Sequence, residues 1–366
     1  MKRFLCLALA LCLLLCGCGG KVEETTPATT IETTPDITSE PTTEPTVPET
    51  TEAPINRHPL NGQLLDAPWT GRATAVVINN LRDALPQYGI GQADVLYELE
   101  TESGITRFLA VFSDVGQVGT IGPVRSARTF FNNIAVAHDA VLVHCGGSDF
   151  ARAGHYSIEG KTIPNWQHID QMSNGSYFYR DSARRASGYA YEHTLFTKGE
   201  SLLNALKDRQ YPIAYEGEGY DQGLRFAEEP GVTGTSATSV TVKFRNSKTT
   251  TFNFDIESGV YKASQYGGAW MDAGLGEQLS FRNVIVITTP QSFRSDAAYS
   301  RSFYDLSGSG KGYLICDGQI VSILWSRSSL QSAFTYTYED GTPVTLGVGS
   351  TYVGVVDSAR GGVTFE

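Results

Sequence analysis

The stretch ADVLYELETESGITRFLAVFSD, residues 93–114, leaves few local structures open. Val95, Tyr97 and Leu99 alternate with Leu96, Glu98, Glu100 and Glu102, a period of two that belongs to a strand rather than a helix. Glu102-Ser103-Gly104 offers a turn, and an apolar run returns after it, so the stretch predicts a β-hairpin.

Patterns on either side of the hairpin are mixed. ATAVVINN (73–80) reads as a buried strand, and AVLVHCGG as another short one. Between hairpin and second strand lies IGPVRSAR (121–128), followed by Ala127, Phe131, Ile134, Ala135 and His138 on one helical face, which predicts a helix beginning at Ser126. A later helix is expected at SLLNALKD, with Thr197 and Glu200 spaced as a capping box. Such alternation gives an α/β or α+β domain over residues 55–214. Glycines and acids replace patterned sequence over 215–236, which is taken as a linker. Residues 237–366 read as a mainly β domain, a sandwich or rolled sheet, with Asp317-Gly318 and Asp340-Gly341 as turn dipeptides.

The first 54 residues differ in kind. Lys2 and Arg3, an apolar run over 4–15 and then small residues have the form of a secretory signal, expected over 1–17, and the run is shorter than the roughly 20 residues that span a bilayer. Leu15-Cys16-Gly17-Cys18 resembles a bacterial lipobox, which makes Cys18 the lipidated residue and implies a diacylglyceryl and acyl anchor of palmitate type. Two or more chains give stable attachment where one does not. Residues 19–54 hold twelve Thr, six Pro, seven Glu and one Asp against one Lys, with no aromatic residue. Too little apolar surface is available there to offset ordering entropy, so 18–54 is expected as a lipid-anchored disordered tether. The protein is thereby expected at the cell membrane, on the extracytoplasmic face.

Charge narrows the partners. Without the leader, 26 basic and 39 acidic residues leave −13, of which the tether supplies −7, so the rest is near −6. Nucleic-acid binding needs a positive field and is not expected. Of six cysteines only Cys145 and Cys316 lie beyond the leader and its cleavage site, each in an apolar run, and they read as thiols rather than a disulfide.

Several stretches together resemble the YerB-like lipoproteins, a bacterial family of an N-terminal domain with its own C-terminal partner domain. They are VVINN (76–80), QADVLYELETESGITRFLAVF (92–112), IGPVRSAR, VLVHCGGS (141–148), EHTLFT (192–197), WMDAG (270–274), RNVIVI (282–287) and GYLICDGQIVSILWSR (312–327). Glu192, Thr194 and Cys145 depart from the family pattern, which has Pro, Asn and Ala there. What the resemblance implies is an extracytoplasmic two-domain lipoprotein; it brings no established reaction.

Candidate site residues cluster around IGPVRSAR. Unpaired N–H groups at a helix start attract anions, and Arg125 and Arg128, three apart, add fork-shaped donors, with Ser126 as cap or ligand contact. The alternative is that these arginines pair with Glu98, Glu100 or Glu102. Arg107, on the returning strand, and His193 complete the ligand-binding set. His144, at a strand end, is a candidate general base oriented by Glu102 or Asp149, with Glu102 itself the second catalytic candidate; a hydrogen-bonded core histidine is the other reading. No HExxH, paired CxxC or GxSxG occurs, and no metal or cofactor is expected. Two functions are weighed: an envelope lipoprotein binding an anionic or glycan ligand or a membrane-protein partner, and a hydrolase or transferase acting on a cell-wall polymer.

Overall fold

The computed structural model describes residues 55–153, 157–158, 161–162, 167–215, 220–295 and 299–366. The signal (1–17), Cys18 and the tether lie outside them. Pro54–Glu366 forms one compact unit.

The expected hairpin is present. Val95–Glu102 and Ile105–Phe112 pair antiparallel, and the turn puts Ser103 at φ 50° and Gly104 at φ 80°, a left-handed pair that glycine adopts without cost. Thr74–Asn79 is buried at all six positions, as a strand covered on both faces must be, which explains its unbroken apolar sequence.

The hairpin lies in the middle of an eleven-stranded sheet. On one side come Thr74–Asn79, Val141–His144 and His168–Asp170, parallel to one another. On the other side, Val95–Glu102 pairs parallel with Thr351–Asp357, from Val95 opposite Thr351 to Leu99 opposite Val355. Asn283–Thr289, Gly308–Cys316 and Gln319–Arg327 continue the sheet. The α+β half and the β half therefore share a backbone ladder. The stretch expected as a linker is also tied in: Thr235–Ser236 joins the sheet beside Gln319–Arg327, Arg225–Ala227 forms a separate two-stranded sheet with Thr345–Gly347, and the Tyr220 hydroxyl donates to the His138 carbonyl at 2.9 Å.

Period-two alternation across this sheet makes two cores. On one face, Leu96, Phe108, Val284 and Tyr352 pack under a six-stranded sheet carrying Phe244, Phe252 and Tyr261. On the other, Tyr97, Leu109, Ile285 and Val353 pack against Phe130, Phe131 and Ile134 of the helix Thr129–Ala137. Each such aromatic or aliphatic side chain contributes about 1.5–3 kcal/mol when fully buried.

Both expected helix starts move. The first helix begins at Thr129 with Arg128 as N-cap in extended conformation, so Ser126 lies before the helix and does not cap it. The second, Gly199–Asp208, has Lys198 as N-cap without a side-chain hydrogen bond, because the Thr197 hydroxyl donates to the Tyr177 carbonyl instead. Cys145 and Cys316 are both free thiols. No helix among the described residues is long and apolar enough to cross a membrane.

Candidate functional site

Glu98 and Glu100 lie on the sheet face that the second half covers, and each meets a cation there, whereas a register shift between Glu100 and Glu102 sets Glu102 apart. Glu98 is fully buried and lies 3.1 Å from the Lys248 ammonium. It also accepts hydrogen bonds from Asn80, Thr106, Thr250 and Tyr352 at 2.6–3.0 Å. Glu100 is buried too and accepts from Arg245 Nε at 2.6 Å and from the Gly104 amide at 2.9 Å. Five bonds around Glu98 and two around Glu100 supply what burial of a carboxylate requires.

Glu102, at the mouth of the hairpin, faces three guanidiniums. Arg128 grips it at 2.7 and 2.8 Å through Nη2 and at 3.1 Å through Nε. Arg107 reaches it at 3.1 Å and Arg301 at 3.4 Å. Burial alone would raise this carboxyl, but the charges of Arg107, Arg128 and Arg301 outweigh it and hold it below the usual range. Glu102 is therefore ionised, and not a proton donor near neutrality.

The sequence candidates fall into three groups. Arg107, Arg128 and Glu102 come together as above, and Arg107 and Arg128 also donate to the Ser126 carbonyl at 2.8 and 3.5 Å, so Ser126 takes part through its backbone. Arg125 stands apart from this pairing: its one hydrogen bond runs to the Glu192 carbonyl at 3.3 Å, its Nε is buried without a partner, and no carboxylate among the described residues lies within 4 Å.

The histidines form the other groups. His144 is fully buried; its Nδ1 lies 2.7 Å from the Gly146 carbonyl, which fixes the proton there, and its Nε2 accepts from His168 Nδ1 at 3.2 Å. Burial lowers its pKa against the nearby Asp170, and burial together with His144 lowers that of His168 to about 4. The expected orienting acids are elsewhere: Glu102 binds arginines, Asp149 binds Arg152 at 3.0 Å, and Asp170 stands 3.8 Å from His144. His193 is buried, with Nδ1 2.9 Å from Asn79 Nδ2, and burial and Arg125 lower its pKa. Cys145 donates to Gln171 at 3.2 Å, and burial raises its pKa, so it is a neutral thiol.

Sequence reasoning missed Lys248, Arg245, Arg301, His168 and Asp170. Nothing local marks them; Arg245 is 145 residues from the glutamate it binds. No cluster of three or more His, Cys, Asp or Glu suited to a metal occurs among the described residues. The arrangement can hold negative charge, since among the described residues Arg107 and Arg128 share one carboxylate and Arg125 pairs with none.

A structure of this kind, an α+β half and a β half joined through one sheet and an ion-paired hairpin, is a two-part fold with its polar seam at the join. The chain belongs to the YerB-like lipoprotein family: residues 61–212 match the N-terminal domain, and 240–353 the C-terminal domain, of the protein of unknown function DUF3048. It is 27% identical over 282 residues to the protein of Bacillus subtilis (strain 168) named "Putative lipoprotein YerB", covering 74% of this chain and 80% of that one. It is also similar to the crystal structure of the YerB protein from Bacillus subtilis, with a TM-score of 0.71 and 25% identity over 84% of this chain and 99% of that chain.

Proposed function

We propose that this lipoprotein is a binding protein of the cell envelope, held on the extracytoplasmic face of the membrane through Cys18 and the tether, and that it binds an anionic envelope ligand at the hairpin mouth. The observation that carries this reading is the arrangement of guanidiniums there: Arg107 and Arg128 share the carboxylate of Glu102, and Arg125 near them has no carboxylate within 4 Å among the described residues. In a chain of formal charge −11, such a concentration of guanidiniums favours an external anion. Arg125 is the contact residue; Arg107 and Arg128 are its positively charged support.

Two variants test the reading. Cys18→Ala should move the protein from the membrane pellet to the soluble fraction in high salt. On that soluble background, retention by immobilised polyglutamate should fall with salt, and Arg125→Gln should weaken it at least tenfold while leaving the melting temperature nearly unchanged. Continued sedimentation of the Cys18→Ala protein defeats the anchor. Retention unaffected by Arg125→Gln defeats the ligand site.

A further inference from the structure

On the other side of the hairpin turn, Ser103 and Gly104 border an open depression of about 790 Å³ whose remaining wall comes from the second half, including Lys243, Arg245, Phe293 and Arg360. Its two guanidiniums are built in the same way. Arg245 is anchored through Nε to buried Glu100, and Arg360 through Nε to buried Asp357. The Nη2 of each then turns to one neutral oxygen, Gln291 Oε1, at 3.5 Å from Arg245 and 2.8 Å from Arg360. The exposed ring of Phe293 underlies both, its centroid 5.5 Å from the Arg245 guanidinium carbon and 4.8 Å from that of Arg360.

Each part of this arrangement restricts motion. A carboxylate holds each guanidinium from behind, an amide oxygen aligns the pair, and an aromatic face supports them. Lys243 completes the rim, exposed and with no carboxylate within 4 Å among the described residues. Two aligned guanidiniums, one ammonium and the neighbouring serine hydroxyls offer more donors than the two oxygens of a carboxylate accept. A phosphoryl group presents three oxygens in a tetrahedron and meets donors arriving from separate directions. The volume is far larger than a phosphate ion, and the Phe293 ring gives an apolar surface for the carbon skeleton that bears the phosphate.

We infer that this depression is a binding site for a phosphate ester on a small polyol, held by Arg245, Arg360 and Lys243. The inference rests on the proposed reading for the sign of the ligand's charge, but it concerns a second site, one that does not include Arg125.

The test uses the full chain carrying Cys18→Ala and titration calorimetry with glycerol 1-phosphate, with phosphatidylglycerol vesicles against phosphatidylcholine vesicles as a second arm. Binding of the soluble ester alone identifies a free or polymer-borne phosphate; binding of the phosphatidylglycerol vesicles as well identifies a headgroup. In either case Lys243→Glu, an exposed substitution that leaves the fold intact, should weaken binding at least tenfold, and Arg360→Gln should do the same. Lys311→Glu, which changes net charge equally but lies outside the depression, should have no effect. The inference is overturned if neither probe binds, or if Lys243→Glu and Lys311→Glu weaken binding alike. If the probes fail while polyglutamate retention still depends on Arg125, the phosphate site alone is wrong; if polyglutamate also fails, the anion-binding reading falls with it.

Discussion

Arg125 and Arg128 differ by three positions and by their whole environment. Arg128 is buried, bonded to both oxygens of Glu102 and to the Ala127 carbonyl at 2.8 Å, whereas Arg125 is half-buried with one long contact to a carbonyl. Arg128→Gln should therefore cost about 2–3 kcal/mol, less than the ~3–5 kcal/mol of a fully stranded charge, because Glu102 keeps Arg107 and Arg301. Arg125→Gln should cost no more than about 1 kcal/mol. The sign with pH follows from Glu102. Its folded pKa is lowered, so its contribution is present above the unfolded value of about 4.3 and is lost as pH falls through the folded one. Denaturant melts at pH 7 and pH 3 check both: the wild type should lose stability on acidification, and the gap to Arg128→Gln should narrow. Equal stability of the two proteins at pH 7 would show that the grip on Glu102 is not structural.

At the scale of elements, the glutamate strand is the join between the halves, and Lys248 on Lys248–Asp255 is its least dispensable partner. Lys248→Met should leave Glu98 charged and buried without a cation and cost about 3–5 kcal/mol; adding Glu98→Gln should recover a large part of the loss. Additive losses in the double variant would show that the pair does not act as a unit. The hairpin itself was readable because its signals are local: a period of two and a left-handed turn at Ser103-Gly104. Helix starts were misjudged where a side chain had a distant attraction. Arg128 is drawn to Glu102 and keeps an extended backbone, which delays the helix from Ser126 to Thr129, and Thr197 is drawn to Tyr177 and does not cap. The arginine-rich segment was legible as a place where charge is handled. Which arginine is spent on Glu102 and which is left over depends on packing that no local pattern records.

For the whole molecule, the sheet order carries information that composition does not. The change of character over 215–236 is real in the sequence, and the family's two domains match on either side of it, yet the strands beyond it complete the sheet of the first half. Glu98 and Tyr352, bonded at 2.7 Å, are 254 residues apart in the chain. The parallel partner of Val95–Glu102 is Thr351–Asp357, the last strand of that sheet to be synthesised. The glutamate strand therefore keeps one backbone edge open until Thr351–Asp357 docks, and contacts so remote in sequence form slowly. The first half thus depends on Thr351–Asp357, and quality control of this protein amounts to waiting for that strand. A chain stopped at residue 350 should be protease-sensitive throughout and aggregate, while a cooperative melt from residues 55–214 alone would show that the first half matures without it.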